Sequence, residues 1–390
     1  MIIAVDARPL IQPQFQGPEQ RARNILAAWI QSAAKHQFHL LYALPGGDRP
    51  FDDSMLKGLP KNVHPVRLSS YQFPPDFHSA SWLVNPLVRT IHHIEPDVYF
   101  AFTPEVPRIR SCPVVPTFHD LAQELDPVVR RSPAARAQRR VAERSLRHAR
   151  RVHAVSSQTK FDVASVYGFA PELIDVIYNG IDPAFSPLPP ATIPAPKAVH
   201  QANNIAGRYV LTVGADIPRR NYARMLAAMQ WVWKTPEGAR IKWVLAGRAH
   251  WEISDIYTAA RQAGVLGSMR FVAAPTNAEL ADLYRCATLT VCASSFEGFG
   301  LSVLEAMACG STVACSDMRS LREVAEDAAV YFAHDDAEFM GQSISGLLED
   351  AEYRRQPVLR RRDCRATDSN LFPHHWLPFA SLLEPDHQLL

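Results

Sequence analysis

The sequence predicts an α/β protein built from two Rossmann-like, doubly wound domains. Three observations carry that reading. Short apolar runs are continuous rather than alternating, as in strands covered on both faces. Each run is followed by a polar or proline-bearing turn and then a helical pattern, and the whole series occurs twice, on either side of a proline-rich stretch.

In the first half, residues 2–5, 38–42, 98–102, 114–118 and 152–155 read as buried strands. In the second half, 209–213, 242–246, 269–272, 289–292, 312–315 and 330–332 read the same way. Helix signals fill the spacers. Thr276-Asn277-Ala278-Glu279 has the spacing of a capping box, and Gly310 stands where a glycine would end a helix over 301–309. Ser186-Pro187-Leu188-Pro189-Pro190 and Ile193-Pro194-Ala195-Pro196 can neither supply ladder hydrogen bonds nor continue a helix, which predicts an extended linker over 186–208. The expected organisation is therefore a first domain over 1–185 and a second over 209–370. Residues 371–390 read as a C-terminal helix and tail that can pack on the first domain. Two open parallel sheets in one chain are expected to face each other across a cleft, with ligands at the strand C-termini.

Composition narrows the function classes. With 47% hydrophobic and 21% charged residues in a chain of 390, disorder and collagen-like repeats are excluded. A net charge of +2 gives no global field for nucleic acid, so no nucleic-acid partner is expected. The six cysteines form no CxxC pair and read as reduced core residues rather than a disulfide framework or a zinc site. No apolar run approaches the roughly 18 residues of a membrane span, and residues 1–5 are too short for a signal-peptide core. The chain is expected in the cytoplasm.

The most informative stretch is Ser294-Ser295-Phe296-Glu297-Gly298-Phe299-Gly300-Leu301-Ser302-Val303-Leu304-Glu305-Ala306-Met307-Ala308-Cys309-Gly310. It follows a buried strand, makes a glycine-bearing turn and opens a helix. Gly298 and Gly300 let backbone N–H groups approach a ligand, and a helix N-terminus favours oxygen-rich or anionic groups. Glu305 lies on an otherwise apolar face, where a carboxylate needs donors; two vicinal hydroxyls would supply them. Read alone, the pattern is equally a core helix with one solvated glutamate.

With Phe-Glu-Gly-Phe-Gly before it and Leu-Glu-Ala-Met-Ala-Cys-Gly around it, this stretch resembles the retaining GT-B glycosyltransferases of family 4, most closely the mannosyltransferase-like branch of bacterial polysaccharide assembly. The resemblance covers most of the chain and is most specific in the second half. It implies that Glu297 lies by the donor sugar and that Glu305 binds the nucleotide ribose. The backbone of Gly298, Phe299, Gly300 and Leu301 would then face the sugar and diphosphate.

A second matching segment is Val213-Gly214-Ala215-Asp216-Ile217-Pro218-Arg219-Arg220-Asn221. Adjacent arginines before a helix N-terminus oppose its dipole, and a bound diphosphate removes the conflict. Read alone, they are also consistent with two solvated side chains. Where the family typically has Arg-Lys-Asn, this chain has Arg219-Arg220-Asn221, so Arg220 is expected to take the lysine's role with a planar fork in place of a compact ammonium. Gly214 and Asn221 are expected to line the donor site. Arg248, after the strand at 242–246, is a phosphate or base-edge candidate or else a surface residue, and Trp251 reads as packing. In the first domain Thr117-Phe118-His119-Asp120 sits at a strand C-terminus. The family places a histidine by the donor sugar at the matching position, which makes His119 the first-domain candidate, a donor to a sugar hydroxyl.

One departure stands out. After Asp6-Ala7-Arg8 the family usually has a glycine loop of Gly-Ile-Gly type; here it reads Gln16-Gly17-Pro18-Glu19-Gln20-Arg21. Gly17 keeps one glycine of the expected ligand loop, whereas the Glu19 charge would repel phosphates. This loop motivates a competing reading, a catalytically weak glycosyltransferase-like binding partner of an assembly complex. A dinucleotide-dependent oxidoreductase is disfavoured because no strand is followed by GxGxxG.

Nine arginines between Arg130 and Arg151 crowd one largely helical segment. They form either a solvated face or a face for anionic lipid at the inner side of the plasma membrane. The resemblance implies a nucleotide-sugar donor, a glycan or polyprenyl-diphosphate-linked acceptor, lipopolysaccharide or exopolysaccharide as the product class, and no cofactor. With no DxD-type motif at a matching site, no metal is expected.

Overall fold

A computed structural model of the chain describes residues 1–7, 22, 25–26, 36–43, 58–68, 85–127, 129–188, 197–248 and 250–351. The chain divides into one unit over Met1–Gly180 and another over Ile181–Ser369. The Gly17 loop, the middle of the expected linker and the expected C-terminal helix at 371–390 lie outside the described residues.

In the first unit β1 (Ile2–Asp6), β2 (Gln37–Tyr42), β3 (Val63–Arg67), β4 (Val98–Phe100) and β5 (Val114–Val115) form a parallel sheet in the order β3-β2-β1-β4-β5. Its continuous apolar runs fill both faces: Ile3, Val5, Phe38, Leu40 and Phe100 enter one buried cluster, and Ala4, Leu41 and Tyr99 enter another. Between β3 and β4 runs α1 (Pro86–Ile94), whose first turn is capped by Asn85 Oδ1 accepting the Leu87 N–H at 3.0 Å. Strand β3 is absent from the sequence-based expectation because Val63-His64-Pro65-Val66-Arg67 alternates and contains a proline. As an edge strand it bonds on one side only, which is where proline is tolerated.

The single strand expected over 114–118 is two strands. Pro116, lacking an N–H, ends β5; the chain continues as β6 (Thr117–Phe118) in a separate parallel sheet with β7 (Val152–Ala154) and β8 (Ile174–Val176). Helix α2 (Pro133–Leu146) precedes β7, and α3 (Ser157–Tyr167) links it to β8. Strand β8 also escapes the sequence reading because it is three residues long and carries Asp175. That carboxylate is held by Arg151, with Nε and Nη2 each 2.7 Å from one of its oxygens.

In the second unit a short helix, α4 (Ala198–Ala202), occupies part of the expected linker, a correction to the extended reading of 186–208. It forms because His200 and Val199 are buried. His200 Nδ1 accepts the Lys197 N–H at 3.0 Å, and its Nε2 lies 3.0 Å from Tyr209 Oη. A six-stranded parallel sheet follows: β9 (Tyr209–Val213), β10 (Lys242–Gly247), β11 (Met269–Ala273), β12 (Leu289–Cys292), β13 (Val313–Ser316) and β14 (Ala329–Phe332). Its order is β11-β10-β9-β12-β13-β14, the doubly wound pattern with the first and fourth strands adjacent. The connecting helices are α5 (Tyr222–Val232), α6 (Asp255–Gln262), α7 (Asn277–Cys286), α8 (Leu301–Ala308), α9 (Arg319–Ala325) and α10 (Ala337–Glu349). The capping box at Thr276 and Glu279 is present, and Gly310 follows α8 with φ +80°. Trp243 is fully buried in the core, its indole N–H donated to Thr212 Oγ1 at 3.0 Å; truncating such a residue to alanine costs about 3–5 kcal/mol.

Candidate active site

In a parallel sheet of this order, the chain leaves neighbouring strands β9 and β12 in opposite directions, opening a crevice at their C-terminal ends. The loop after β9 brings Arg219 and Arg220 there on a single 3-10 turn, Pro218–Arg220. The loop after β12 brings Ser294 and Glu297. A main-chain bond from the Ser295 N–H to Arg219 O, 2.8 Å, fastens the two loops together.

Glu297 is buried between the arginines. Its Oε2 lies 3.4 Å from Arg219 Nη1, while Oε1 pairs with Arg220 Nη1 and accepts from Ser294 Oγ at 3.0 Å. A carboxylate taken out of water needs such partners. Two guanidinium groups facing one carboxylate leave the crevice net positive. The Arg220 Nε–H is buried without a hydrogen-bond partner among the described residues. An unmatched donor in a positive crevice suits an anionic oxygen ligand. Among the described residues no cluster of His, Cys, Asp and Glu could hold a metal ion.

The glycines here make room. Gly214 has φ +149°, and a Cβ on it would stand 2.7 Å from Arg220 Nε, so the arginine lies across the space a side chain would take. Gly247 has φ +156°, and its Cβ would stand 2.2 Å from Gly214 O. Gly300 opens α8 at φ +101°, a helix whose first N–H groups no side chain caps. Gly298, Phe299 and Leu301 lie in the same loop and helix start, with Phe299 buried.

Glu305 lies in the second turn of α8, partly buried. Tyr284 donates its hydroxyl to Glu305 Oε2 at 3.0 Å. Burial pushes the Glu305 carboxyl up to about 7, even though the Tyr284 hydrogen bond and the nearby Arg220 charge favour ionisation. Both glutamates and both arginines of the sequence reading thus belong to one neighbourhood of the second unit.

Other candidates fare differently. Asn221 was expected to line the ligand, but its buried amide donates to Ala293 O at 3.0 Å and to His334 O at 2.7 Å. It is a staple across the sheet's rim, held at φ +60°. Arg248 is exposed beyond β10. Trp251 is packed as expected, with its N–H 3.3 Å from Val272 O. In the first unit His119 follows β6, and its Nε2 lies 2.7 Å from Phe102 O, just beyond the end of β4. A carbonyl only accepts, so Nε2 carries the hydrogen and in the neutral ring Nδ1 accepts rather than donates. That reverses the expected direction of its hydrogen bond to a hydroxyl. Asp120 Oδ1 accepts the Ala122 N–H at 2.9 Å, starting the next turn. Along the arginine-rich segment Arg130, Arg131, Arg136, Arg140, Arg144 and Arg147 are exposed, whereas Arg151 is spent on Asp175. Among the described residues no helix is long and apolar enough to cross a membrane.

Sequence reasoning missed Ser320 and Tyr284. Ser320, fully buried at the start of α9, donates to the Glu297 carbonyl at 2.7 Å. Its signal would have been the serine four residues past the end of β13, too common a pattern to single out.

Residues 15–185 match the family model for glycosyltransferase family 4, and 198–362 match that for glycosyl transferases group 1. O-antigen chain mannosyltransferase B of Escherichia coli is 28% identical over 249 residues, 63% of this chain and 64% of that protein. Phosphatidyl-myo-inositol mannosyltransferase of Mycolicibacterium smegmatis is 35% identical over 161 residues, 40% of this chain and 39% of that one. The matches thus span less than two thirds of those relatives' own length. Among solved structures, a sucrose-phosphate synthase from Thermosynechococcus elongatus superposes with a TM-score of 0.75 at 18% identity, covering 98% of both chains. WaaG, a glycosyltransferase involved in lipopolysaccharide biosynthesis, superposes at 0.72 with 16% identity, covering 99% of this chain and 100% of its own. These likenesses establish the GT-B fold of two Rossmann-like domains.

Proposed function

Because the chain belongs to the group 1 glycosyltransferases, we propose that it moves a hexosyl unit from a nucleoside-diphosphate sugar to a hydroxyl of a glycan or lipid-linked acceptor in cell-surface polysaccharide assembly, with retention of anomeric configuration. The observation that carries this reading is the pairing of Arg219 and Arg220 with Glu297 at the switch point of the second sheet. Mannose is the proposed sugar, since two relatives are described as mannosyltransferases.

In this mechanism the bond from the anomeric carbon to the diphosphate breaks through an oxocarbenium-like state, and negative charge grows on the departing diphosphate. Arg219 and Arg220 meet that charge, with the orphaned Arg220 Nε–H as a donor already in place. As the guanidinium groups turn to the phosphates, Glu297 is released toward a sugar hydroxyl. Glu305 accepts from the ribose diol. The glycine-bearing start of α8 offers backbone N–H groups to sugar and diphosphate. The incoming hydroxyl loses its proton to the leaving diphosphate on the same face. His119 accepts a hydrogen bond from a substrate hydroxyl. No metal ion is required in this proposal, because guanidinium groups carry the charge compensation, so chelation by EDTA is expected to leave the rate unchanged.

The test is direct. GDP-mannose and other nucleotide sugars are incubated with a polyprenyl-diphosphate-linked acceptor, and the product linkage is read by NMR. An α-linked product from an α-linked donor, lost in Glu305→Gln, supports the proposal; no product with any donor overturns it. The exposed arginines of α2 are proposed to draw the protein to anionic membranes in the cytoplasm, which predicts salt-sensitive binding to phosphatidylglycerol vesicles. No binding at low salt overturns that part.

A further inference from the structure

Tyr284, in the last turn of α7, is fully buried, and its hydroxyl donates to Glu305 Oε2 at 3.0 Å. Glu305 Oε1 has no hydrogen-bond partner among the described residues. The ring of Tyr284 is itself fixed from the other side. Phe185 packs against it edge-on, with centroids 6.0 Å apart. The segment bearing Phe185 is strapped to the same helix: Asn277 Nδ2 donates to Asp182 Oδ2 at 3.0 Å, and Arg285 Nη2 donates to Ala184 O at 2.7 Å. A rigid aromatic lever therefore ends on one oxygen of the carboxylate and leaves the other open.

We infer that Tyr284 is a positioning residue for donor binding: its hydroxyl holds one oxygen of Glu305 so that the second stays ionised and oriented as the acceptor for the ribose hydroxyls of a nucleoside diphosphate. This rests on the reading that Glu305 holds the ribose. The electrostatics fit. Four groups act electrostatically with the Glu305 carboxyl: Tyr284 from α7, Arg220 from the turn before α5, Asp182 from the strap and Cys309 just after α8. Burial raises the carboxyl to about 7; Tyr284 and Arg220 pull it down, while Asp182 pushes it up. Removing the hydroxyl takes away the hydrogen bond that favours the charged form, so at neutral pH more of the carboxyl is protonated.

The experiment compares wild type, Tyr284→Phe and Glu305→Gln, with GDP and UDP as probes, by calorimetry from pH 6 to pH 9. The dideoxyribose forms of both nucleotides serve as controls. A one-unit rise in the Glu305 pKa corresponds to about tenfold in binding. Tyr284→Phe is therefore expected to bind the tighter nucleotide about fivefold more weakly at pH 7, about tenfold at pH 6, and to recover toward wild type by pH 9. The dideoxy analogue should not distinguish the two proteins, and kcat at saturating donor should stay near wild type while the donor KM rises. A loss that is the same at every pH, or the same for the dideoxy probe, marks Tyr284 as merely structural and overturns the inference. Unchanged binding in Tyr284→Phe alongside a loss in Glu305→Gln also overturns it, with the ribose reading intact. Unchanged binding in Glu305→Gln removes the ribose reading itself.

Discussion

Ser320 Oγ donates to the main-chain carbonyl of Glu297 at 2.7 Å, anchoring to α9 the backbone of the residue whose side chain pairs with two arginines. Glu297 is therefore fixed at both ends, its carbonyl by a buried serine and its carboxylate by Arg219, Arg220 and Ser294.

Glu297→Gln separates binding from turnover. The amide cannot compete with a diphosphate for the guanidinium groups, so affinity for a free nucleoside diphosphate should hold or rise in calorimetry. Transfer should fall by about 10- to 100-fold, the equivalent of the roughly 1.5–3 kcal/mol that a hydrogen bond between the carboxylate and a sugar hydroxyl contributes. An unchanged transfer rate would contradict the place given to this residue.

Arg220→Ala removes the buried half of the clamp. Charge-assisted hydrogen bonds contribute about 1.5–3 kcal/mol each, so nucleoside-diphosphate affinity should fall by at least tenfold. Arg220→Lys should recover part of the loss but not all of it, since an ammonium has no Nε–H in the place where the unmatched donor now lies. Equal affinities in calorimetry for all three proteins would count against a phosphate role.

Gly247→Ala should be among the most damaging small changes in the second unit. The added Cβ meets the Gly214 carbonyl at 2.2 Å, and φ +156° is a conformation that side chains rarely adopt. A loss of about 2–4 kcal/mol in urea unfolding is expected, with nucleotide binding falling alongside because Gly214 and Arg220 shift together. A melting temperature equal to wild type would refute the contact.

His200 makes the second unit sensitive to acid. Burial lowers its pKa from 6.5, outweighing the Asp282 charge that raises it. The native state therefore prefers the neutral ring, whose Nδ1 must accept from Lys197. The unfolded chain takes up a proton below 6.5 that the folded chain resists. The contribution to stability is thus full above pH 6.5 and is lost as pH falls through the lowered folded value. Urea unfolding at pH 7.5 and 5.5 should show a smaller decline in His200→Gln than in wild type; equal declines would exclude His200 as a source.

Much of this architecture was legible because burial on both faces leaves unmistakable apolar runs, as at Tyr209–Val213 and Leu289–Cys292. The arginine pair and both glutamates were legible because adjacent cations before a helix, and a carboxylate on an apolar helical face, conflict with stability unless something binds them. Strand β3 was hidden by Pro65, β8 by its length, and the break at Pro116 by the uniform hydrophobicity around it. Helix α4 was masked by the prolines before it, since its stability comes from burying His200 against Tyr209, nine residues on. Tyr284 and Ser320 act over 21 and 23 residues of separation, through contacts that only the folded sheet creates. Asn221 was read as a ligand group because residue type cannot reveal which way an amide has turned.

That turned amide has a practical reach. By joining Ala293 and His334 across the intervening strand β13, Asn221 makes the rim beneath the proposed donor site a stiff plate that ought not to flex from one sugar to another. Efforts to re-engineer donor preference should therefore leave the plate alone and diversify residues 215–217 of the loop after β9, where changes can alter selectivity without loosening the foundation.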